Sequence, residues 1–292
     1  MLVGIVGTGL IGASVGLAAR AAGHRAFGWD ADERAVRSAA ELDAIEWVAA
    51  GPSEVVSEAE IVVAAMPLRA TLELLRAFPP APNALLVTDV ASVKAPVVEA
   101  AAGVANFVAG HPLAGSERSG PQAAQPDLFR GRVWAYVPPA DPELEARACA
   151  FYESLGAAPL AVEARRHDAI VAFSSHLPQV ASSALGAMLA ERGADPRVRA
   201  LCGSGMRSMT RLAGSPWTMW EGILAANALP VAQEVRALAG ILRSVADALE
   251  AGDLGTVAAY FARAAAGGAL GANEEAARFV IPGTPNVESE PR

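Results

Sequence analysis

Short apolar runs alternate with helically spaced stretches through the first half of this chain. LVGIVG (2–7), HRAFGWD (24–30), AEIVVAAMP (59–67), NALLVTDV (83–90), ANFVAGHP (105–112) and RVWAYVP (132–138) read as strands. Helical patterns fill most of the gaps; the first, at 10–22, is apolar nearly all round. Such alternation argues for parallel strands joined by crossover helices. Past about residue 155 the strand-like runs stop. Ala/Leu/Arg stretches with helical spacing follow, such as VAQEVRALAGILRSVADALEAG (231–252). The expected organisation is an α/β domain over 1–160, an all-α domain over 161–282, and a polar, proline-containing tail over 283–292.

The longest weakly charged stretch, AIVAFSSHLPQVASSALGAMLA (169–190), carries His176, Pro178, Gln179 and four serines. That is too polar for a membrane span, so it reads as a buried helix broken or bent at Pro178. MLVGIV (1–6) contains no basic n-region and runs directly into a glycine motif, so it reads as a first strand and not a leader. With 53% hydrophobic and 18% charged residues the chain is globular. A net charge of −8 argues against a nucleic-acid binder but leaves room for an anionic small molecule. Two cysteines, Cys149 and Cys202, form neither a metal cluster nor a disulfide framework, which suits a reducing, cytoplasmic setting. No histidine pair has metal-ligand spacing, so no metal is expected.

Three motifs carry chemistry. GTGLIG (7–12) follows a strand, opens a helix, and precedes a second strand ending in Asp30. Gly7 permits the tight turn, Gly9 lets a pyrophosphate approach the backbone, and Gly12 allows close helix–strand packing. This is a dinucleotide-binding pattern. Gly7, Gly9, Leu10, Ile11, Gly12 and Asp30 are its candidate cofactor residues. Asp30 accepts from ribose hydroxyls and repels a 2′-phosphate, which favours NAD over NADP; Arg34 is the one nearby cation that speaks for a phosphate. TDVASVK (88–94) ends a strand at the ligand-binding edge. There Ser92 either meets a ligand or caps a helix starting near Val93, and Lys94 is either an anchor or structural. GHPLAGSERSG (110–120) places His111 at the end of an apolar run, before a polar glycine-rich loop.

Taken in order, GTGLIGAS, DVASVK, GHPLAGSERSG, HDAIVAFSSHLPQ (167–179) and GMRSMTRLA (205–213) resemble the prephenate/arogenate (cyclohexadienyl) dehydrogenases of tyrosine biosynthesis. The resemblance spans residues 4 to about 230. It implies a Rossmann-like N-terminal domain, a helical C-terminal dimerisation domain, and NAD-dependent oxidative decarboxylation of a cyclohexadienol dicarboxylate. It implies that His111 accepts the C4 hydroxyl proton and that Ser92 orients that hydroxyl. Arg211 would clamp a carboxylate, His176 would lie within reach of substrate, and Glu117 would help read the side chain. Arg207 and Arg211, four apart, are expected on one helix face. His167 and His176, nine apart, are expected on opposite faces of an ideal helix, which leaves His167 to structure or the domain junction. His24 reads as a surface residue. The uncharged stretch GILAANALPVA (222–232) suggests a two-fold homodimer built beyond residue 165. The other readings are a β-hydroxyacid or imine-type dehydrogenase, whose helical-domain lysine has no counterpart in 165–230, and a non-catalytic NAD-binding dimer.

Overall fold

The computed structural model describes residues 1–115 and 118–272. They form two compact units, Met1–Val235 and a second beginning at Arg236. In chain order the first half comprises β1 (Leu2–Val6), α1 (Leu10–Ala21), β2 (Arg25–Trp29), α2 (Glu33–Glu41), α3 (Pro52–Glu58), β3 (Ile61–Ala64), α4 (Leu68–Arg76), β4 (Leu86–Asp89), α5 (Ala95–Ala100), β5 (Phe107–Val108), β6 (Gly110–Pro112), β7 (Val133–Tyr136), α6 (Pro142–Ser154) and β8 (Ala158–Ala161). Helices follow: α7 (Ala164–Val171), a π-helical turn (Ala172–His176), α8 (Leu177–Arg192), α9 (Pro196–Leu201), α10 (Ser204–Met209), a 3-10 turn (Arg211–Gly214), α11 (Trp217–Ala226), α12 (Ala228–Glu250) and α13 (Leu254–Ala272).

The first sheet is parallel, in the order β2-β1-β3-β4-β5. Its strands are mostly apolar because both faces are covered, with Thr88 and Asp89 of β4 the buried polar exceptions. Val3, Ile5, Ile61 and Val63 pack into a cluster that includes Val15 and Ala19 of α1. Val6 and Val62 pack into a cluster with Val55 and Val56 of α3 on the opposite face. A reversal of strand order at β1/β3 opens a crevice at the carboxyl ends, where such sheets bind ligands.

The structure corrects three sequence expectations. ANFVAGHP makes two strands, not one: β5 closes the parallel sheet and β6 begins a second sheet, β6-β7-β8. The switch falls at Gly110, where a Cβ would lie 2.7 Å from Trp134 Nε1 and 2.8 Å from the Asp89 carbonyl. Only glycine lets the chain pass there. In that second sheet β6 runs antiparallel to β7, and β8 lies beyond residue 155, where no strand was expected. Its sequence, APLA, is short and carries Pro159, which suits an edge strand. Third, residues 169–190 are not a buried helix, although the helix is interrupted just ahead of Pro178. The chain follows α7, a π-turn and α8, with Pro178 in the first turn of α8, and it buries one stripe while Ile170 and Phe173 stay exposed. Among the described residues, no helix is long and apolar enough to cross a membrane.

The second sheet is locked onto the first by aromatics. Trp134 of β7 stacks on Tyr152 of α6 at 4.7 Å, and the Tyr152 hydroxyl meets Thr88 Oγ1 of β4 at 2.8 Å. This fixes β6, and His111 with it, beside the end of β4.

Candidate active site

The turn between β1 and α1 has the geometry a pyrophosphate needs. Gly7 has φ +96°, and a Cβ there would lie 2.5 Å from the Ala65 carbonyl. A Cβ on Gly12 would fall 1.9 Å from the Gly7 carbonyl, so glycine is what lets α1 start this close to the strand. At Gly9 a Cβ would meet nothing within 4 Å, so this side is open. Gly9 is the N-cap of α1; no side chain caps the helix and no acidic residue lies in its first turn. Its leading amides and positive dipole are therefore available to an anion. Leu10 and Ile11 sit half-buried in that first turn. At the end of β2, Asp30 Oδ2 accepts from Thr8 N at 2.6 Å and Oδ1 accepts from Asp32 N at 2.9 Å. The carboxylate is thereby held against the glycine turn. Arg34 pairs with Asp32 at 3.4 Å and is otherwise in solvent. These residues fit a dinucleotide whose ribose faces a carboxylate.

Lys94 lies beneath the loop after β4. It is the only lysine of the chain, every other one of the 23 basic residues being Arg. Completely buried, its Nζ donates to Asp89 Oδ2 and to the Gly110 carbonyl, both at 2.5 Å. Asp89 also accepts from Ala91 N and Gly110 N, each at 2.9 Å. Lys94 is thus the pin that holds the start of β6 to the end of β4. A compact ammonium fits this gap where a planar guanidinium would not. Burial pulls its pKa down, against the pull of Asp89. Ser92 is half-buried on the same loop and does not cap α5, which starts at Ala95. The cap comes from α7: Asp168 accepts from Lys94 N at 2.6 Å and from Ala95 N at 2.8 Å.

His111, on β6 opposite Ala135, meets His167 with Nδ1 to Nε2 at 2.9 Å and the rings edge-on. His167 Nδ1 meets Asp168 Oδ1 at 2.8 Å. His176 is buried nearby, its Nδ1 3.2 Å from Asn227 Nδ2, which also donates to the Asp168 carbonyl at 2.8 Å. The expectation that His167 and His176 face opposite ways does not hold, and both are buried. The π-turn takes up one residue, so nine positions count as about eight and the rings come within roughly 80° of each other.

Burial disfavours the charged forms of His111 and His176, while Asp168 stays ionised. Burial drives the His111 pKa well below the usual imidazole value, and the charges of Lys94, His167 and His176 push the same way. Burial lowers His176 to about 4, Asp168 opposing. Burial pushes Asp168 upward, but the hydrogen bonds from His167, Ala95 N and Lys94 N outweigh it and hold the carboxyl below its ordinary value.

Arg211 and Arg207 do not share a helix face: α10 ends at Met209, and Arg211 opens the following 3-10 turn, exposed. That turn is tied to α8 by Gln179 Nε2 donating to the Leu212 carbonyl at 2.8 Å. Arg207 donates to the Cys202 carbonyl at 3.0 Å. Glu117 lies outside the described residues. His24 is half-buried, with Nε2 3.4 Å from Ser154 Oγ. Among the described residues no group of three His, Cys, Asp or Glu side chains could hold a metal. The sequence assigns no role to Asp89, Asp168 or Asn227, which the structure places at the site. The adjacent pair His167–Asp168 was the visible signal for the second of these.

Comparison with known proteins bears on the same elements. Residues 15–158 match the family model of the prephenate dehydrogenase nucleotide-binding domain, and residues 163–263 that of the prephenate dehydrogenase dimerization domain. A probable prephenate dehydrogenase of Streptomyces niveus is 36% identical over 253 residues, covering 84% of this chain and 68% of that protein. The chain spans 64% and 63% of the length of two further prephenate dehydrogenases, from Lactococcus lactis and Bacillus subtilis. Synechocystis arogenate dehydrogenase superposes with a TM-score of 0.70 at 28% identity, over 86% of this chain and 92% of the other. The fold of Aquifex aeolicus prephenate dehydrogenase, solved with hydroxyphenyl propionate and NAD+, matches with a TM-score of 0.82 at 24% identity, over 90% and 96% of the two chains. With both halves matched in order, and the glycine turn and His111 on the elements described, the chain belongs to the prephenate dehydrogenase family.

Proposed function

We propose that this protein catalyses NAD-dependent oxidative decarboxylation of prephenate to 4-hydroxyphenylpyruvate, or of arogenate to tyrosine. The observation that carries the reading is His111: an imidazole on a fixed strand, beside the carboxyl edge of a dinucleotide-binding sheet, kept unprotonated at neutral pH. Such a group is a general base for a hydroxyl. NAD, when bound, supplies the hydride acceptor for C4. His111 takes the hydroxyl proton as the C4 carbonyl forms, and loss of CO2 restores the aromatic ring. Ser92 orients the hydroxyl. Asn227 donates to His176 Nδ1, which leaves His176 Nε2–H as a donor to a substrate oxygen. Arg211 holds a carboxylate, where a planar fork suits the anion better than an ammonium, and Glu117 reads the side chain.

The reading includes a homodimer through the helices beyond residue 161. Phe173, Leu201, Met209, Trp217 and Leu229 are large apolar side chains left exposed on these helices, as expected of an interface. Light scattering at micromolar concentration should give twice the 29.8 kDa chain mass, and a monomer refutes the dimer. The activity is tested by following NADH formation with prephenate, arogenate and short hydroxyacids. Turnover of either cyclohexadienol supports the reading, and turnover of hydroxyacids alone overturns it. His111→Asn should lower kcat by roughly 10²–10⁴ with KM little changed.

A further inference from the structure

Two hydrogen bonds link the candidate base to a buried carboxylate: His111 Nδ1 to His167 Nε2 at 2.9 Å, and His167 Nδ1 to Asp168 Oδ1 at 2.8 Å. We propose that His167, anchored by Asp168, is the positioning residue that fixes the tautomer of His111. The proposal rests on the reading of His111 as the base.

The direction of each bond follows from the chain's far end. Asp168 accepts from the amides of Lys94 and Ala95 as well as from His167, and these donors hold it ionised. An ionised carboxylate only accepts, so the hydrogen between it and His167 sits on His167 Nδ1. With its single ring hydrogen on Nδ1, His167 presents a lone pair at Nε2. His111 must donate to that lone pair from Nδ1, which leaves His111 Nε2 bare. This is the ring atom that takes the substrate's proton: the O–H bond breaks, an N–H bond forms at Nε2, and the electron pair of the O–H bond goes to the new carbonyl. The positive charge that develops on His111 lies next to the His167 lone pair, with the Asp168 charge one residue further on. In the other tautomer Nε2 would carry hydrogen and could only donate to the hydroxyl. The groups facing His111 are Lys94 from the β4–α5 loop, His167 from α7 and His176 from the π-turn. Of these, only His167 is hydrogen-bonded to the His111 ring.

The geometry gives Asp168 a second task. The carboxylate that orients His167 also caps the start of α5, two and three residues past Ser92. One side chain thus ties the base to the loop that carries the hydroxyl-orienting serine.

The test uses ¹⁵N-histidine-labelled full-length protein, with the His111 signals assigned by their loss in His111→Asn. Above neutral pH, long-range ¹H–¹⁵N correlation should show His111 protonated at Nδ1 and bare at Nε2. His167→Phe removes the acceptor. It should shift His111 toward the Nε2–H form and lower kcat by roughly 10–10³-fold, with KM within about twofold. His167→Gln, whose Oε1 reaches the place of Nε2, should restore most of kcat. Asp168→Asn leaves one oxygen to accept from His167 but removes the negative charge behind the chain, so it should lower kcat, by less than His167→Phe. Thermal melting and quenching of tryptophan fluorescence by NAD show which variants are folded; if His167→Phe is not, the Gln and Asn variants carry the test. A wild-type His111 bare at Nδ1, or an unchanged kcat in His167→Phe or Asp168→Asn, overturns the proposal. If the protein turns over no cyclohexadienol, the functional reading fails while the tautomer measurement still decides this one.

Discussion

Replacing Lys94 with Met keeps the stem and removes the charge from a site with no access to water, since both members of the Lys94–Asp89 pair are fully buried. Three consequences follow from the geometry. Asp89 keeps its two amide donors, Ala91 N and Gly110 N, but loses its counter-charge. The Gly110 carbonyl loses its Lys94 donor. His111, next in the chain, loses the strand anchor under it. Breaking a buried pair on one side costs about 3–5 kcal/mol, and the remaining amides place this case toward the lower part of that range. With about 2–4 °C per kcal/mol for a chain of this size, the melting temperature should fall by roughly 6–16 °C. Circular dichroism at the helical minimum measures it. Lys94→Met with Asp89→Asn should melt higher than Lys94→Met alone, because the uncompensated charge is gone. Lys94 also lowers the pKa of His111, so its removal should move the acid limb of the kcat profile to higher pH. A Lys94→Met protein melting within about 2 °C of wild type would refute the account of Lys94 as the pin between β4 and β6.

Three other measurements test separate parts of the structure. Gly12→Ala forces a Cβ onto the Gly7 carbonyl, so it should cost about 1–3 kcal/mol and abolish NAD binding, whereas Gly9→Ala faces open space and should weaken NAD binding at an unchanged melting temperature; NAD affinity equal to wild type in Gly9→Ala sinks the assignment of the turn. Asp30→Ser should narrow or reverse the preference for NAD over NADP, and a native protein equally efficient with both would show that the Asp30 carboxylate does not select the cofactor. His176, about 4 when folded and 6.5 when unfolded, binds a proton more readily in the unfolded chain; its contribution is fully present above pH 6.5 and is lost as pH falls toward 4, up to about 3 kcal/mol, with His111 acting in the same direction. Denaturant titrations at pH 7.5 and 5 should show this loss, and equal stabilities would contradict a neutral buried pair. Because His111 shifts the same way, activity should persist below the ordinary imidazole range instead of declining through it.

The sequence by itself settled the features that depend on neighbours a few residues apart. Strand runs with continuous apolar character, the glycine spacing 7-9-12 and the acid at position 30 are local demands of a parallel sheet and a tight turn, so they can be read directly. His111 at a strand end followed by glycines was legible for the same reason. Tertiary structure decided whatever depends on partners far apart in the chain. The split of ANFVAGHP between two sheets turns on Gly110 passing Trp134, which lies on another strand. The role of Lys94, a choice between anchor and structural cation in the sequence, was set by Asp89 and the Gly110 carbonyl meeting in a dry gap. The cap of α5 comes from Asp168, 73 positions beyond Ala95, and no local pattern encodes it. His167 went astray for a different reason. Helical periodicity assumes 3.6 residues per turn, and the π-turn at Ala172–His176 inserts an extra residue that the sequence does not mark. That one residue brings His176 round toward the side of His167, which itself holds His111, and the facing of a side chain past such an insertion is fixed by packing alone.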